Sequence, residues 1–206
     1  MLRVGLTGGI ACGKSLVSGF FAARGVPVVD DDLAARDAVA PGTEGLAAVV
    51  AEFGSDVLLP DGTLDRPKLG RIVFGDDGRR RKLMALTFPL IGRLIHERLT
   101  AAEASGAPML VYESALLIEN AGHESWRPLV VVRVDEATQI ERLRARNELT
   151  HDEALARIAS QMRVARKVEL ADHVIDNSGT PADSERQFER VYATLLERAA
   201  ATSAQA

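Results

Sequence analysis

Apolar runs alternate with amphipathic stretches along the chain, and that alternation predicts a parallel β-sheet wrapped by helices. Residues 2–7 read as a first strand. A glycine-rich turn follows, then a helix over about 14–24. Residues 27–30 form a short second strand that runs into three carboxylates, Asp30, Asp31 and Asp32. Met109–Glu113 reads as a third strand. Residues 129–135 read as a fourth, continuous and β-branched as strands buried on both faces tend to be. His173–Asp176 reads as a short fifth strand. Thr180-Pro181, a capping residue followed by proline at the first helical position, starts a last helix.

Two segments break the alternation. Residues 33–103 contain no convincing strand and read as several helices. Asp65-Arg66-Pro67 marks one helix start, and Phe88-Pro89 marks a break between two more. The stretch is too long for a single crossover helix and predicts an inserted helical lobe. The second segment is 136–170. Thr150-His151-Asp152-Glu153 has the form of a capping box, which places a turn between helices over 136–146 and 151–163. This segment carries Arg142, Arg144, Arg146, Arg157, Arg163 and Arg166, and reads as a lid. The expected organisation is one domain, with a core of 1–32, 104–135 and 171–198, a helical lobe at 33–103 and a lid at 136–170. The Ala-rich, uncapped stretch 199–206 is expected to fray.

Composition narrows the function classes. The chain has 206 residues, 47% of them hydrophobic, enough for a real core. The net charge is -4 and aromatic residues make up 4%, which excludes the basic excess and stacking surface of a nucleic-acid binder. No apolar run approaches the roughly 20 residues of a spanning helix, so no membrane partner is expected. Cys12 is the single cysteine; no intrachain disulfide can form, and the cytoplasm is the expected compartment.

The chemistry begins at Gly8-Gly9-Ile10-Ala11-Cys12-Gly13-Lys14-Ser15, which matches the phosphate-binding P-loop between an apolar strand and a helix. Such a loop turns successive backbone N–H groups onto phosphate oxygens, and the helix adds the positive end of its dipole. Gly9, Ile10, Ala11, Cys12, Gly13, Lys14, Ser15 and Leu16 are therefore the expected ATP-phosphate contacts. Lys14 supplies a point charge to the β- and γ-phosphates, and the Ser15 hydroxyl is the expected ligand of a nucleotide-borne Mg²⁺. Cys12 reads as a small side chain that tolerates the turn rather than as a reactive thiol.

Ligands of open α/β sheets sit outside the carboxyl ends of the strands, so a carboxylate after the second strand should face the triphosphate. Strand alternation favours Asp30 and Asp32 on one side and Asp31 opposite. Asp32, furthest toward the mouth, is the expected catalytic carboxylate, and Asp31 reads as part of a solvated acidic turn. Glu113 ends the third strand and reads equally as a water-mediated Mg²⁺ contact or a peripheral residue. Asp135 reads as a helix N-cap. Among the lid arginines at least one phosphate contact is expected. The run Arg79-Arg80-Arg81-Lys82 reads as a solvated helix face in preference to a patch for substrate phosphates. The four histidines lack metal-ligand spacing.

The chain resembles the dephospho-CoA kinase family. The resemblance rests on Leu6-Thr-Gly-Gly-Ile10 through Ser15, Val29-Asp-Asp-Asp-Leu-Ala-Ala-Arg36, Pro60-Asp-Gly-Thr-Leu64, Pro89-Leu-Ile91, Leu116-Leu-Ile-Glu-Asn120, Ser160-Gln-Met162 and Ala171-Asp-His-Val-Ile-Asp-Asn-Ser-Gly179. It implies a P-loop NTPase α/β fold, a parallel five-stranded sheet flanked by helices with an inserted helical substrate lobe and a helical lid. It implies ATP-dependent phosphorylation of the ribose 3′-hydroxyl of dephospho-CoA, with Asp32 acting on that hydroxyl, Arg142 in the lid near ATP and Asn177 near the adenine. A monomer is expected. Ala11, Cys12 and Leu16 stand where the family commonly has Gly, Ser and Thr. Phe88 stands in place of a His, and Glu113 and Ala115 in place of Asp and Pro. The rivals are another P-loop kinase of nucleosides or small metabolites, and a non-catalytic nucleotide switch; the Asn-Lys-x-Asp motif of a guanine switch is missing.

Overall fold

The computed structural model describes residues 1–204. Its described part forms two compact units, Met1–Val29 with the chain from Ala101 onward, and Asp30–Thr100.

The first unit holds the sheet. Strands β1 (Leu2–Gly8), β2 (Val28–Asp30), β3 (Met109–Glu113), β4 (Leu129–Arg133) and β5 (His173–Asp176) stand in the order β2-β3-β1-β4-β5. The β1–β3, β1–β4 and β4–β5 pairs are parallel, with Leu6 opposite Glu113 and Val130, and Val132 opposite Ile175. Val4, Leu6, Val130, Val132 and Ile175 pack with Val17 and Phe21 of α1 (Lys14–Ala23) and Phe188 and Leu195 of α9 (Pro181–Ser203). The Phe21 and Phe188 rings meet edge to face at 4.8 Å. Leu129 and Val131 instead pack with Leu117, Ile118, Met162 and Val168. Apolar side chains on both faces explain why β4 reads as an unbroken run.

The 136–170 segment, read from the sequence as a lid, comprises α6 (Glu136–Asn147), α7 (His151–Ala159) and α8 (Val164–Glu169). Its start and turn are where the capping residues put them. Asp135 caps α6 by accepting from Thr138 N–H, and Thr150 and Glu153 form the capping box of α7. The second lid helix is shorter than the expected 151–163. It stops at Ala159, and α8 starts after a turn over 160–163. Thr180 and Asp183 form a second capping box on α9 with Pro181 in the first turn. Helix α9 runs on to Ser203, past the expected fraying point, because Ala199 is buried in the core. Residues 205–206 of the expected tail lie outside the described residues.

The second unit is helical, with α2 (Asp31–Asp37), α3 (Glu44–Phe53), α4 (Arg66–Val73) and most of α5 (Asp77–Ala104). Val39, Val49, Val57 and Leu69 form its core. Asp65 caps α4, as the Asp65-Arg66-Pro67 signal predicts. The break expected at Phe88-Pro89 does not occur, and α5 is continuous through Pro89. An interior proline removes one helical hydrogen bond and costs about 3 kcal/mol. Packing on both sides offsets it: Leu83 joins the core of the unit, and Leu90 packs against Gly45 of α3. In the basic run, Arg79, Arg80 and Lys82 pair with Asp76, Asp77 and Glu52, as a solvated, charge-paired face should.

Candidate active site

The loop between β1 and α1 is held in a shape that its glycines permit. Gly13, the N-cap of α1, has φ 81, and Ala11 is left-handed at φ 60. A Cβ on Gly13 would lie 2.1 Å from Asn177 Nδ2, so both the conformation and the contact exclude a side chain there. No side chain caps α1. In the first turn of α1 the Leu16 N–H donates to the Gly13 carbonyl, and the Lys14 and Ser15 N–H groups are left to a ligand or solvent. Lys14 is half-buried and Ser15 is exposed. Cys12 is fully buried, and burial pushes its thiol pKa up, so its environment is that of a packing residue.

Two predicted residues from distant parts of the chain meet this loop. Asn177, just after β5, donates from Nδ2 to the Cys12 carbonyl at 2.9 Å, and its Oδ1 accepts from the buried Ser184 hydroxyl at 2.8 Å. Arg142 of α6 donates from Nη2 to the Asn177 carbonyl at 2.9 Å and from Nη1 to the Ala11 carbonyl at 3.5 Å. Arg144 and Arg146, on the same helix, are exposed.

Three contacts were missed in the sequence. Gln139 of α6 donates from Nε2 to the Ile10 carbonyl at 2.7 Å, and Ile10 N–H donates to Gln161 Oε1 at 3.0 Å. Gln139 sits three residues before Arg142, a spacing that places both on one helix face and was the available signal. Lys167 is the third. It is fully buried, yet it donates from Nζ to Glu119 Oε1 at 2.9 Å, to the Ala115 carbonyl at 2.6 Å and to the Gly8 carbonyl at 3.4 Å. Burial pulls its pKa down, and the Glu119 carboxylate opposes that. Nothing in a sequence separates a buried lysine from an exposed one. Glu119 Oε1 also accepts from Met162 N–H at 3.0 Å, so one carboxylate ties the turn before α8 to the segment after β3.

The N–H groups of the loop divide into two sets. Those of Ile10, Cys12 and Leu16 donate to Gln161, the Gly9 carbonyl and the Gly13 carbonyl. Those of Ala11, Gly13, Lys14 and Ser15 make no such bond among the described residues, and these converging amides can take phosphate oxygens.

The carboxylates take different places. The second strand ends at Asp30, whose side chain accepts from Leu33 N–H and caps α2. Strand alternation therefore stops there, and Asp31 and Asp32 occupy the first helical turn instead of alternating strand positions. Asp32 is exposed. Glu113 is buried at the carboxyl end of β3, next to β1 in the sheet.

The family model for dephospho-CoA kinase matches residues 2–183. A dephospho-CoA kinase of Geobacter sulfurreducens is 45% identical over 92% of this chain and 96% of its own length. One from Arabidopsis thaliana is 46% identical over 93% of this chain and 82% of its own length. The crystal structure of TT1252 from Thermus thermophilus superposes with a TM-score of 0.77 at 31% identity, covering 94% of this chain and 97% of that one. The chain belongs to the dephospho-CoA kinase family.

Proposed function

We infer that the chain transfers the γ-phosphoryl group of ATP to the ribose 3′-hydroxyl of dephospho-CoA, giving ADP and coenzyme A. The observation that carries the phosphoryl-transfer chemistry is the loop at 8–15, whose Cys12 and Ala11 carbonyls are taken by Asn177 and Arg142 while other N–H groups stay available. The choice of acceptor follows from membership of the family.

Each role follows from the chemistry of its group. The Ala11, Gly13, Lys14 and Ser15 amides and the Lys14 ammonium bind the triphosphate and neutralise charge as it moves toward the leaving oxygen. Arg142 holds the lid helix on the loop and brings a guanidinium beside it. Asp32 orients the acceptor hydroxyl and takes its proton as the new O–P bond forms. The exposed Ser15 hydroxyl and the oxygens of the nucleotide suit a hard cation, and Mg²⁺ there would draw charge from the phosphate oxygens. We place the enzyme in the cytoplasm, as a monomer. No helix of the described residues is long and apolar enough to cross a membrane.

The test is an acceptor panel. Purified protein with ATP and Mg²⁺ should convert dephospho-CoA to coenzyme A with one ADP per product. Turnover of a nucleoside or another small alcohol in clear preference to dephospho-CoA would replace this reading with another P-loop kinase activity.

A further inference from the structure

We propose that Gln139 and Gln161 are positioning residues that preset the phosphate loop, a clamp whose two halves act with opposite hydrogen-bond polarity. The proposal rests on the nucleotide reading above. Ile10 is gripped on both sides. Its N–H donates to Gln161 Oε1, from the turn after α7, at 3.0 Å. Its carbonyl accepts from Gln139 Nε2, on α6, at 2.7 Å. Gln139 is buried, 4% exposed, so this bond is shielded from water. Each partner on Ile10 is a fixed donor or a fixed acceptor, so the orientation of both side-chain amides is determined.

The consequence follows from peptide geometry. In a trans peptide the carbonyl and the next N–H point in opposite directions. When Gln139 draws the Ile10 carbonyl to its side, the Ala11 N–H is turned to the other. Asn177 does the same two peptides later: by holding the Cys12 carbonyl at 2.9 Å it turns the Gly13 N–H away from itself. The side chains therefore take the carbonyls, and the Ala11 and Gly13 amides join those of Lys14 and Ser15 without a backbone or side-chain acceptor among the described residues.

Residue 11 needs the clamp. It is left-handed at φ 60 and is alanine, and an L side chain disfavours that conformation. Gly9 makes room for the clamp, since a Cβ there would lie 2.7 Å from Gln139 Nε2 and 2.4 Å from Val164 Cγ2. The turn bearing Gln161 is itself held, because the adjacent Met162 N–H donates to Glu119 at 3.0 Å.

The experiment uses two glutamate variants that add the same charge close to the loop. Glu in place of Gln161 still accepts from Ile10 N–H. Glu in place of Gln139 sets a carboxylate against the Ile10 carbonyl and donates nothing. ADP affinity measured by calorimetry on the intact protein should weaken about thirtyfold in Q139E and no more than about threefold in Q161E. The KM for dephospho-CoA should stay within about twofold in both. Combining Q139E with Ala11→Gly should shrink the loss to less than about tenfold, because glycine holds the left-handed turn unaided. If Q139E does not fold, Q139L carries the test, with about a tenfold weakening expected. Equal affinities in Q139E and Q161E would overturn the proposal, as would a Q139L affinity within about threefold of the parent. Failure of the parent protein to bind ADP would overturn the nucleotide reading instead.

Discussion

Replacing Lys167 with methionine removes a buried charge. The ammonium is fully buried and donates to Glu119 Oε1, the Ala115 carbonyl and the Gly8 carbonyl. Methionine keeps the unbranched apolar stem, one atom shorter, and none of the donors. Among the described residues Glu119 is then left with Met162 N–H on Oε1, and its Oε2 is already buried without a hydrogen-bond partner there. Breaking a buried pair by removing one member costs about 3–5 kcal/mol, because the other charge is left in low dielectric. The Glu119 side chain is 20% exposed and can recover part of its hydration, which brings the expected loss to about 2–4 kcal/mol. For a urea slope of about 2 kcal/mol/M, the unfolding midpoint should fall by about 1–2 M at unchanged slope. The double variant K167M/E119Q discards both charges and should regain about 1–2 kcal/mol of that loss. A midpoint shift below about 0.5 M in K167M, or a double variant no more stable than the single one, would refute the account of Lys167 as a buried, charge-paired strut.

Three further outcomes are expected. Asp32→Asn should lower kcat by roughly 10²-fold or more while ADP affinity stays within about threefold, and a kcat above a tenth of the parent would remove Asp32 from the chemistry. Gly13→Ala should abolish measurable ADP binding, since the new Cβ meets Asn177 Nδ2 at 2.1 Å on a backbone at φ 81; binding within about tenfold of the parent would contradict the loop geometry. Acid stability should report the helix caps. The Asp135 carboxyl is held below its usual 3.8 by Thr138 N–H, and that of Asp183 by the Thr180 hydroxyl and N–H. A depressed folded pKa gives stability that is present above the unfolded value and lost as pH falls through the folded one. Urea midpoints should therefore fall below about pH 4, and D135N/D183N should flatten that fall, whereas an unchanged slope would exclude the caps as its source.

Much of the core was legible because its signals are local. A strand buried on both faces is apolar almost throughout, and Met109–Glu113 was delimited from that pattern, whereas His173–Asp176 is a short, partly polar edge strand with only Ile175 buried. Helix starts were equally legible at Asp65, Asp135, Thr150 and Thr180, because a cap is chemistry between residues three apart. The helix through Pro89 was not. Proline is a local breaker, and the packing of Leu83 and Leu90 that outweighs it involves partners from other elements, such as Gly45 of α3 against Leu90. The alternation of Asp30 and Asp32 failed for a related reason. Asp30 caps a helix at once, which ends the strand before the pattern can continue.

By itself the sequence determined the class of loop, since glycines, a lysine and a serine at that spacing between strand and helix admit little else. It also determined the family, through segments spread along nearly the whole chain. What only the tertiary structure decided is how that loop is held. Gln139, Arg142, Gln161, Lys167 and Asn177 lie more than 120 residues from the loop in sequence and each takes one of its backbone groups or a neighbour's. Backbone carbonyls are the same at every residue, so no local pattern reveals which ones will be claimed. That assignment is made when the β4 and β5 ends carry α6, α8 and Asn177 to the end of β1.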